Sequence, residues 1–461
     1  MGRDRAAGKY ARKDGPEYVY RCGQSIFASN NKSCPKRSTS GRHLCKVAAA
    51  VTSSTALPAR AWIIVALLWV CAALNYVDRL ILTTMRTSLK EAIPMTEAQF
   101  GLLTTAFLIV YAVVSPFAGF LADRVSRSRV ITISLLAWSL VTLATAWVTN
   151  YEQLLASRIL LALAQAACMP ASVALIVDYH QGSTRSLASG LLLSGAMTGG
   201  ALAGLGGWFA DRHSWTYAYE LFGWIGIGHA VVLAFLLRDR PAVVASPAAS
   251  AAPQPAMIDA FKHLFTNRAY LLVLGYACTL GIVGWSVVGW MPTIMKERFA
   301  MNQGEAGLTT TICMNVAAFV GMLVGGTWAG RWSRKDPRGP VFVSVIGLAL
   351  AAPAILLLAH TASLTVALAA LALYAAARYF SDANAMPVLC LYVDPRYRAT
   401  SWGMSTLFSS FIGGLGIYAA GWVRDAKIDL THLFHFAFGS VLLCAVIMAT
   451  LSRLPRIKQP D

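Results

Sequence analysis

The chain has 461 residues, of which 57% are hydrophobic and only 13% are charged. Soluble domains usually carry about 25% charged residues, so most helices of this chain have no solvated polar face. The composition therefore excludes an ordinary soluble globular protein. The formal net charge of +18 invites a nucleic-acid partner, and the positions of the charges decide that question.

Long apolar runs recur from Ala61 onward and are separated by short polar loops. A bilayer core of about 30 Å needs about 20 apolar residues per helix. Runs such as AWIIVALLWVCAAL do not alternate as β-barrel strands do, and a spanning helix satisfies its own backbone. We predict an all-α membrane protein with twelve transmembrane helices, spans 1 to 12. They are residues 61–84, 100–122, 129–149, 152–178, 187–208, 217–237, 269–292, 306–330, 340–360, 363–391, 400–423 and 432–452.

The basic residues are concentrated on one side of these spans. With both termini in the cytoplasm, 29 Lys and Arg lie on the cytoplasmic side and 7 on the outer side, and the other three are Arg79, Arg158 and Arg378. Such a positive-inside bias sets the orientation of membrane proteins. The sequence thus predicts a multi-pass protein of the plasma (inner) membrane with cytoplasmic termini. The excess of Lys and Arg is therefore explained by membrane orientation, and we expect no nucleic-acid partner.

A Pro/Ala/Ser-rich segment, DRPAVVASPAASAAPQPAM, divides the membrane region into two sets of six spans. The first residues are rich in Lys, Arg, Ser and Gly and are typical of disorder. The cysteines of that tail match no zinc pattern, so no metal or cofactor is expected. The predicted units are a basic cytoplasmic tail at 1–58, six-helix halves at 59–238 and 261–455, a linker at 239–260 and a C-terminal tail at 456–461.

The two halves repeat a sequence pattern at the ends of spans 5 and 11. The matching sets are Gly207, Trp208 and Asp211 in the first half and Gly421, Trp422 and Asp425 in the second. Repeats of six helices are typical of membrane carriers, in which the binding site lies near the midplane between the repeats.

Charged residues inside the spans are the first candidates for function, because each costs at least about 2.5–3.5 kcal/mol in hydrocarbon. Asp78 and Arg79 lie in the outer half of span 1, in NYVDR, and Arg158 lies about two turns from the outer end of span 4. All three can share one depth. One acid and two bases leave a surplus positive charge that suits a substrate carboxylate. The alternative is a buried ion pair that only fixes helix packing.

Span 10 carries Arg378 and Asp382, which are four residues apart and can pair on one helix face. This pair is equally compatible with substrate binding and with packing. Other polar and aromatic groups are candidates to line a cavity, although aromatic residues also serve as packing and interfacial anchors. These candidates are Asn75, Tyr76, Tyr111, Gln165, Trp285 and Asn315.

The loop after span 2 reads GFLADRVSRSR and carries an acid at a helix end beside several bases. Contacts of this kind can bias a protein between two conformations when they form and break. The alternative is a solvated loop whose bases serve only topology. The predicted gating residues are Gly119, Asp123, Arg124 and Arg127, with Arg331 in the matching loop after span 8.

These motifs resemble the major facilitator superfamily. GFLADRVSRSR is similar to its loop motif, although Ser126 replaces the usual internal glycine and Gly330 replaces the acid in the second half. NYVDR, Arg158 and the segment 289–307, GWMPTIMKERFAMNQGEAG, resemble the anion:cation symporter branch, which carries sugar acids and other organic anions. The same pattern also resembles the Spinster-like branch, which is linked to lysolipids and sphingoid lipids.

The resemblance implies the major facilitator fold and a role for each motif residue. Asp78 would be the proton-titrating carboxylate, Arg79 its partner, and Arg158 the substrate-anion or relay arginine. Both branches usually carry Glu seven residues after the arginine of span 4, and this chain has Gln165 there. An amide cannot titrate. Coupling would therefore depend on Asp78 alone or be absent.

We predict a secondary active transporter, working as a monomer in membrane lipid, that moves a small organic anion such as a sugar acid with protons as coupling ion. The alternatives are a lipid or lysolipid carrier, an uncoupled facilitator and a transporter-like sensor. An enzyme is not expected, because the chain has no HExxH, GxSxG or P-loop motif. His180, beside Asp178 at the end of span 4, is expected to be solvated.

Overall fold

The computed structural model of the protein describes residues 59–180, 183–239, 257–428 and 431–456. The predicted tail 1–58, most of the predicted linker and residues 457–461 lie outside this part of the chain. The side chains of residues 119–124, which include Gly119, Asp123 and Arg124, are also outside the described part, although their backbone is helical.

The predicted all-α fold is confirmed. Within the described ranges there is no strand, and twelve helices are long and apolar enough to cross a membrane. The spans, in order, are Ala59–Thr84, Glu97–Arg124, Arg127–Thr145, Tyr151–Gln165 with Cys168–Tyr179, Ser183–Leu202 with Leu205–Arg212, Trp215–Leu236, Arg268–Phe299, Gln303–Ser333, Gly339–His360, Leu364–Tyr392, Arg398–Asp425 and Thr431–Leu451. Two short helices, Arg86–Ala92 and Met257–Thr266, and the 3₁₀ turn Pro395–Tyr397 complete the set.

Most span ends lie within a few residues of the prediction, and span 7 shows the largest difference. It continues past Pro292 to Phe299 and ends where Ala300 adopts a left-handed conformation with φ of 49°. Proline inside a membrane helix is tolerated where neighbouring helices satisfy the freed backbone group. Pro292 is buried among such neighbours, so it does not end the helix.

The two halves meet through two equivalent helix crossings, span 2 with span 11 and span 5 with span 8. The hydroxyl of Thr105 in span 2 donates to the carbonyl of Gly414 at 2.5 Å. In the matching crossing, the hydroxyl of Thr311 in span 8 donates to the carbonyl of Ala201 at 3.0 Å. The internal repeat seen in the sequence is therefore repeated in the contacts between the halves.

Glycines allow these helices to approach closely. A Cβ placed on Gly101 of span 2 would lie 2.9 Å from the carbonyl oxygen of Ile417. A Cβ on Gly204 of span 5 would lie 2.8 Å from the carbonyl oxygen of Gly307. Small residues at such positions let helix backbones pack directly against each other in membranes.

The loops that follow the odd-numbered spans lie on one face of the bundle, here named the closed face. Between described residues, every side-chain hydrogen bond and ion pair that joins the halves lies at this face or at mid-depth. On the opposite face, residues that the structure describes make side-chain contacts within one half. There, Arg127 pairs with Asp178, and the backbone N–H of Ser128 donates to Asp239 at 2.8 Å.

The expectation of a solvated His180 is wrong. Its side chain is fully buried, its Nε2 lies 3.2 Å from the carbonyl oxygen of Ala61, and its ring packs edge-on against Trp62. The end of span 4 packs against the start of span 1, so this histidine lies at a helix–helix contact. Sequence position at a helix end did not reveal that neighbour.

Candidate functional site

A cavity of about 210 Å³ lies between the halves, enclosed by spans 1, 5, 7, 8, 10 and 11. Four predicted residues line it together: Tyr76, Trp285, Asn315 and Arg378. The spans that supply them belong to both halves, so a ligand held there would contact both. This is the midplane position that the internal repeat indicates.

Arg378 is the cation of this cavity. Its Nη1 lies 3.1 Å from Oδ2 of Asp382, so the predicted pair along span 10 is formed. The Arg378 side chain is 15% exposed and its Nε is buried without a hydrogen-bond partner. A Cβ on Gly284 of span 7 would lie 2.6 Å from Nη2, so that glycine leaves the space that the guanidinium occupies.

Two further polar groups of the cavity were missed by the sequence analysis. Tyr374 and Thr310 line the cavity, and their buried hydroxyls have no hydrogen-bond partner. Tyr374 lies four residues before Arg378, which places both on one face of span 10. The four-residue spacing from Arg378 was the sequence signal that could have identified Tyr374. A buried hydroxyl left unpaired is costly, so these groups are suited to bind a polar ligand.

The charges of spans 1 and 4 form a separate buried cluster in the first half. Arg158 is 1% exposed; its Nη1 donates to the carbonyl of Asp78 at 3.1 Å and its Nη2 to the carbonyl of Arg79 at 2.9 Å. The three residues share one depth, as predicted. However, Arg158 binds the backbone of span 1 and is not among the residues that line the cavity.

Arg79 does not pair with Asp78, in contrast to what the resemblance implied. Its Nη2 donates to Oδ1 of Asn75 at 3.2 Å, one turn earlier. Its guanidinium carbon lies 4.9 Å from the ring centroid of Tyr76 and 4.5 Å from that of Tyr111, both within cation–π range. Consecutive helix residues do not face each other, which explains why the adjacent charges separate.

Asp78 is buried, and its Oδ1 has no hydrogen-bond partner. The polar groups around its carboxyl are Arg158 and, from span 3, Thr142 and Trp138. The link to the cavity runs through Tyr76, which lines the cavity on one side and contacts Arg79 on the other. The acid is therefore beside the cavity wall without being part of it.

Gln165 occupies the place where the resemblance implied a second acid. It is fully buried, and its Nε2 approaches the carbonyl oxygen of Asn75 at 3.4 Å while its Oε1 has no partner. It ends the first segment of span 4, immediately before the helix is interrupted. Gln165 and Asn75 therefore extend the buried cluster and, like Tyr111 and Asp382, do not line the cavity.

The closed face carries an ion network that the sequence analysis treated only as loop charge. Glu97 of span 2 accepts from Arg86 and Lys90 and lies 3.6 Å from Nε of Arg424 in the other half. Glu297 of span 7 lies 3.2 Å from Nη1 of Arg86 and 2.7 Å from Nη2 of Arg424. Both acids thus contact bases of both halves.

Two equivalent aspartates cap helices across the halves. Asp425, which ends span 11, accepts from the backbone N–H groups of Glu97 and Ala98, each at 2.8 Å. Asp211 near the end of span 5 accepts from the backbone N–H of Gly304 at 2.6 Å. A carboxylate at a helix N-terminus satisfies free N–H groups and the helix dipole. The closed-face network is the set Arg86, Lys90, Glu97, Asp211, Glu297, Arg424 and Asp425.

The predicted gating motif on the opposite face is only partly described. Arg127 pairs with Asp178 and donates to the carbonyl of Ala174 at 3.2 Å, so it joins span 3 to span 4 within one half. Arg331 is exposed at the end of span 8. The gating role of this motif remains a prediction.

Comparisons with known proteins agree with this architecture. The Major Facilitator Superfamily model matches residues 68–456. An MFS-type efflux pump of Mycolicibacterium smegmatis is 25% identical over 401 residues, 84% of this chain and 90% of that protein. The D-galactonate transporter of Escherichia coli is 24% identical over 296 residues, 60% of this chain and 68% of that protein. A solved bacterial homologue of the human lysosomal transporter Spinster, inward-facing and occupied, shares the fold with a TM-score of 0.69 at 20% identity, covering 85% of this chain and 96% of that one.

Proposed function

The chain belongs to the Major Facilitator Superfamily, and from that premise we propose that it is a secondary active transporter of a small organic anion, with protons as the coupling ion. Its relatives and its fold are those of transporters, not of enzymes, and its twelve spans make it a multi-pass integral membrane protein. We propose the anionic substrate, the coupling to protons and the direction of transport.

The carrying observation is the cavity between the halves with Arg378 in its wall. A guanidinium presents planar N–H donors that fit a carboxylate at two points. Asp382 pairs with Nη1 of Arg378, and the buried Nε of Arg378 has no hydrogen-bond partner. The unpaired hydroxyls of Thr310 and Tyr374 supply further hydrogen-bond partners for a polar substrate. A volume of about 210 Å³ suits a small acid better than a lipid with long chains.

Movement of the substrate follows from opening one face while the other closes. In the structure the halves are joined at the closed face by the closed-face network and the two helix crossings. Breaking these contacts would expose the cavity on that side. We assign the closed face to the exterior and both termini to the cytoplasm of the plasma membrane, on the basis of the distribution of Lys and Arg.

Proton coupling is assigned to Asp78. A buried carboxylate oxygen without a hydrogen-bond partner is unfavourable when charged, and a proton removes that cost. Protonation also changes the charge beside Arg158, which holds the carbonyls of residues 78 and 79 on span 1. Tyr76 lies on span 1, as Asp78 does, and also lines the cavity. Proton binding and anion binding would therefore act on the same helix. Because Gln165 cannot titrate, we propose one proton per anion.

An uptake screen in proteoliposomes tests the proposal. The panel contains D-galactonate, a hexuronate, an aromatic carboxylate and a labelled lysophospholipid, each with and without an inward proton gradient. We expect gradient-stimulated uptake of at least one carboxylate, its loss in Arg378→Gln and its retention in the matched control Arg212→Gln, an exposed arginine on the closed face. Transfer of lysophospholipid and of no carboxylate would replace the proposal with a lipid carrier. Equal carboxylate uptake with and without the proton gradient would indicate an uncoupled facilitator.

A further inference from the structure

Two histidines from different helices meet on the closed face, in the second half and outside the cavity. His360 is the last residue of span 9 and His435 lies in the first turns of span 12. Their Nε2 atoms are 3.3 Å apart, and their ring centroids are 5.2 Å apart at an interplanar angle of 63°. Both side chains are exposed, so solvent and dissolved ions reach them.

The spacing of the two nitrogens matches a metal site. Zinc binds imidazole nitrogen at about 2.0–2.1 Å with tetrahedral geometry, which separates two neighbouring nitrogen ligands by about 3.3–3.4 Å. Two Nε2 atoms that face each other cannot both carry a proton in the space between them, so at least one presents a lone pair; the other presents one when its imidazole is in the tautomer with the proton on Nδ1. We propose that His360 and His435 bind a divalent transition-metal ion such as Zn²⁺ on the closed face.

A third imidazole is close by. His432 lies one helical turn before His435, with ring centroids 6.4 Å apart, so a side-chain rotation can bring it to the same ion. No group of three or more His, Cys, Asp or Glu in the described residues is already arranged around one point. The proposed site therefore has two imidazoles already side by side and a third that a side-chain rotation would add, with water completing the coordination, which suits reversible binding of an external ion.

The bound ion would join the end of span 9 to the start of span 12. Both helices belong to the second half, and neither histidine belongs to the cavity or to the closed-face network. Binding is therefore expected to stabilise the second half while leaving the anion site intact. Metal binding at these histidines does not depend on which substrate the cavity accepts.

The test uses the full chain purified without a polyhistidine tag. Cys22, Cys34 and Cys45 are replaced by serine and His43 by alanine, so that the basic tail offers no competing ligands. Zn²⁺ binding is measured by titration calorimetry, and Co²⁺ is used as a spectroscopic probe. We expect saturable binding of one Zn²⁺ per chain and the intense visible absorption that tetrahedral Co²⁺ shows, which Zn²⁺ should displace.

Single substitutions identify the ligands. His360→Ala and His435→Ala should each weaken Zn²⁺ binding at least about tenfold, since removing even a supporting group of a metal site has effects of that size. His432→Ala should have a smaller effect. The control is His213→Ala, a histidine on the same face that stacks on Tyr217 in the first half, and it should leave binding unchanged.

Thermal unfolding separates loss of binding from loss of folding. Without metal, all four variants should remain folded, because these side chains are exposed. Zn²⁺ should raise the unfolding temperature of the parent and of His213→Ala, and not that of His360→Ala or His435→Ala. Absence of saturable binding in the parent, or equal affinity in His360→Ala and His435→Ala, would overturn the assignment.

Discussion

The buried cluster of the first half and the cavity pair of the second half use similar residues in opposite ways. Arg158 is held by two backbone carbonyls of span 1 and is not part of the cavity wall. Arg378 is held by one carboxylate, and its Nε is still unpaired beside the cavity. The halves repeat each other in helix contacts, yet among the span arginines that the structure describes, Arg378 lines the cavity and Arg79 and Arg158 do not. In the proposed mechanism, the first half senses the proton and the second half binds the anion.

The largest expected effect is on stability, from Arg158. Arg158→Met would remove the additional donor that two carbonyls of span 1 receive beside their helix hydrogen bonds, and it would remove the cation that acts on Asp78. Breaking one side of a buried charge arrangement costs about 3–5 kcal/mol. We expect a marked fall in the thermal unfolding temperature in detergent. The matched variant Arg378→Met should unfold much closer to the wild type, and the reverse order of the two would contradict the assigned roles.

The next effect is on substrate binding, from Arg378. Arg378→Lys keeps the charge and loses the planar two-point geometry, and hydrogen bonds to charged groups are worth about 1.5–3 kcal/mol. We expect the affinity for an accepted carboxylate to fall about 10–100-fold, measured as the half-saturation of counterflow. Arg298→Lys, whose native Nη1 donates to the carbonyl of Leu358 outside the cavity, serves as control. Equal losses in the two variants would remove Arg378 from the anion site.

A smaller effect is expected at the closed face. Asp425→Ala removes two cross-half hydrogen bonds and Asp211→Ala removes one. Helix caps are worth about 0.5–2 kcal/mol, so each loss should shift the conformational balance away from the closed face by about two- to thirty-fold, and Asp425→Ala by more.

This shift is measured with a cysteine introduced at Ser409 in the cavity wall. The rate at which a thiol reagent added on the closed-face side labels this cysteine should rise as that face opens. Asp394→Ala is the control, because Asp394 caps a short turn on the opposite face within one half. Labelling that rises in the control as much as in Asp425→Ala would show that the caps do not hold this face shut.

Much of the fold was available from the sequence because membrane spans are set by local hydropathy. Tyr76, Trp285, Asn315 and Arg378 were expected near a cavity and do line it. Arg79 and Asp78 do not pair because consecutive residues of a helix do not face each other. Counting the charges of span 1 did not take this geometry into account.

The closed-face network could not be predicted in the same way. Glu97 and Arg424 are far apart in the chain and meet only because spans 2 and 11 cross. The same limit applies to His180, whose neighbour Ala61 belongs to another helix. Local patterns indicate which residues enter the membrane, while partners across helices depend on packing that one sequence does not display.

The most direct test of the central claim is gradient-driven uptake by Asp78→Asn in proteoliposomes, with the membrane potential held at zero. We expect the wild type to accumulate an accepted carboxylate above its external concentration when the outside is acidic. Asp78→Asn should still exchange labelled for unlabelled substrate but should only reach equal concentrations on both sides. Accumulation by Asp78→Asn to the wild-type level would contradict the assignment of proton coupling to this residue.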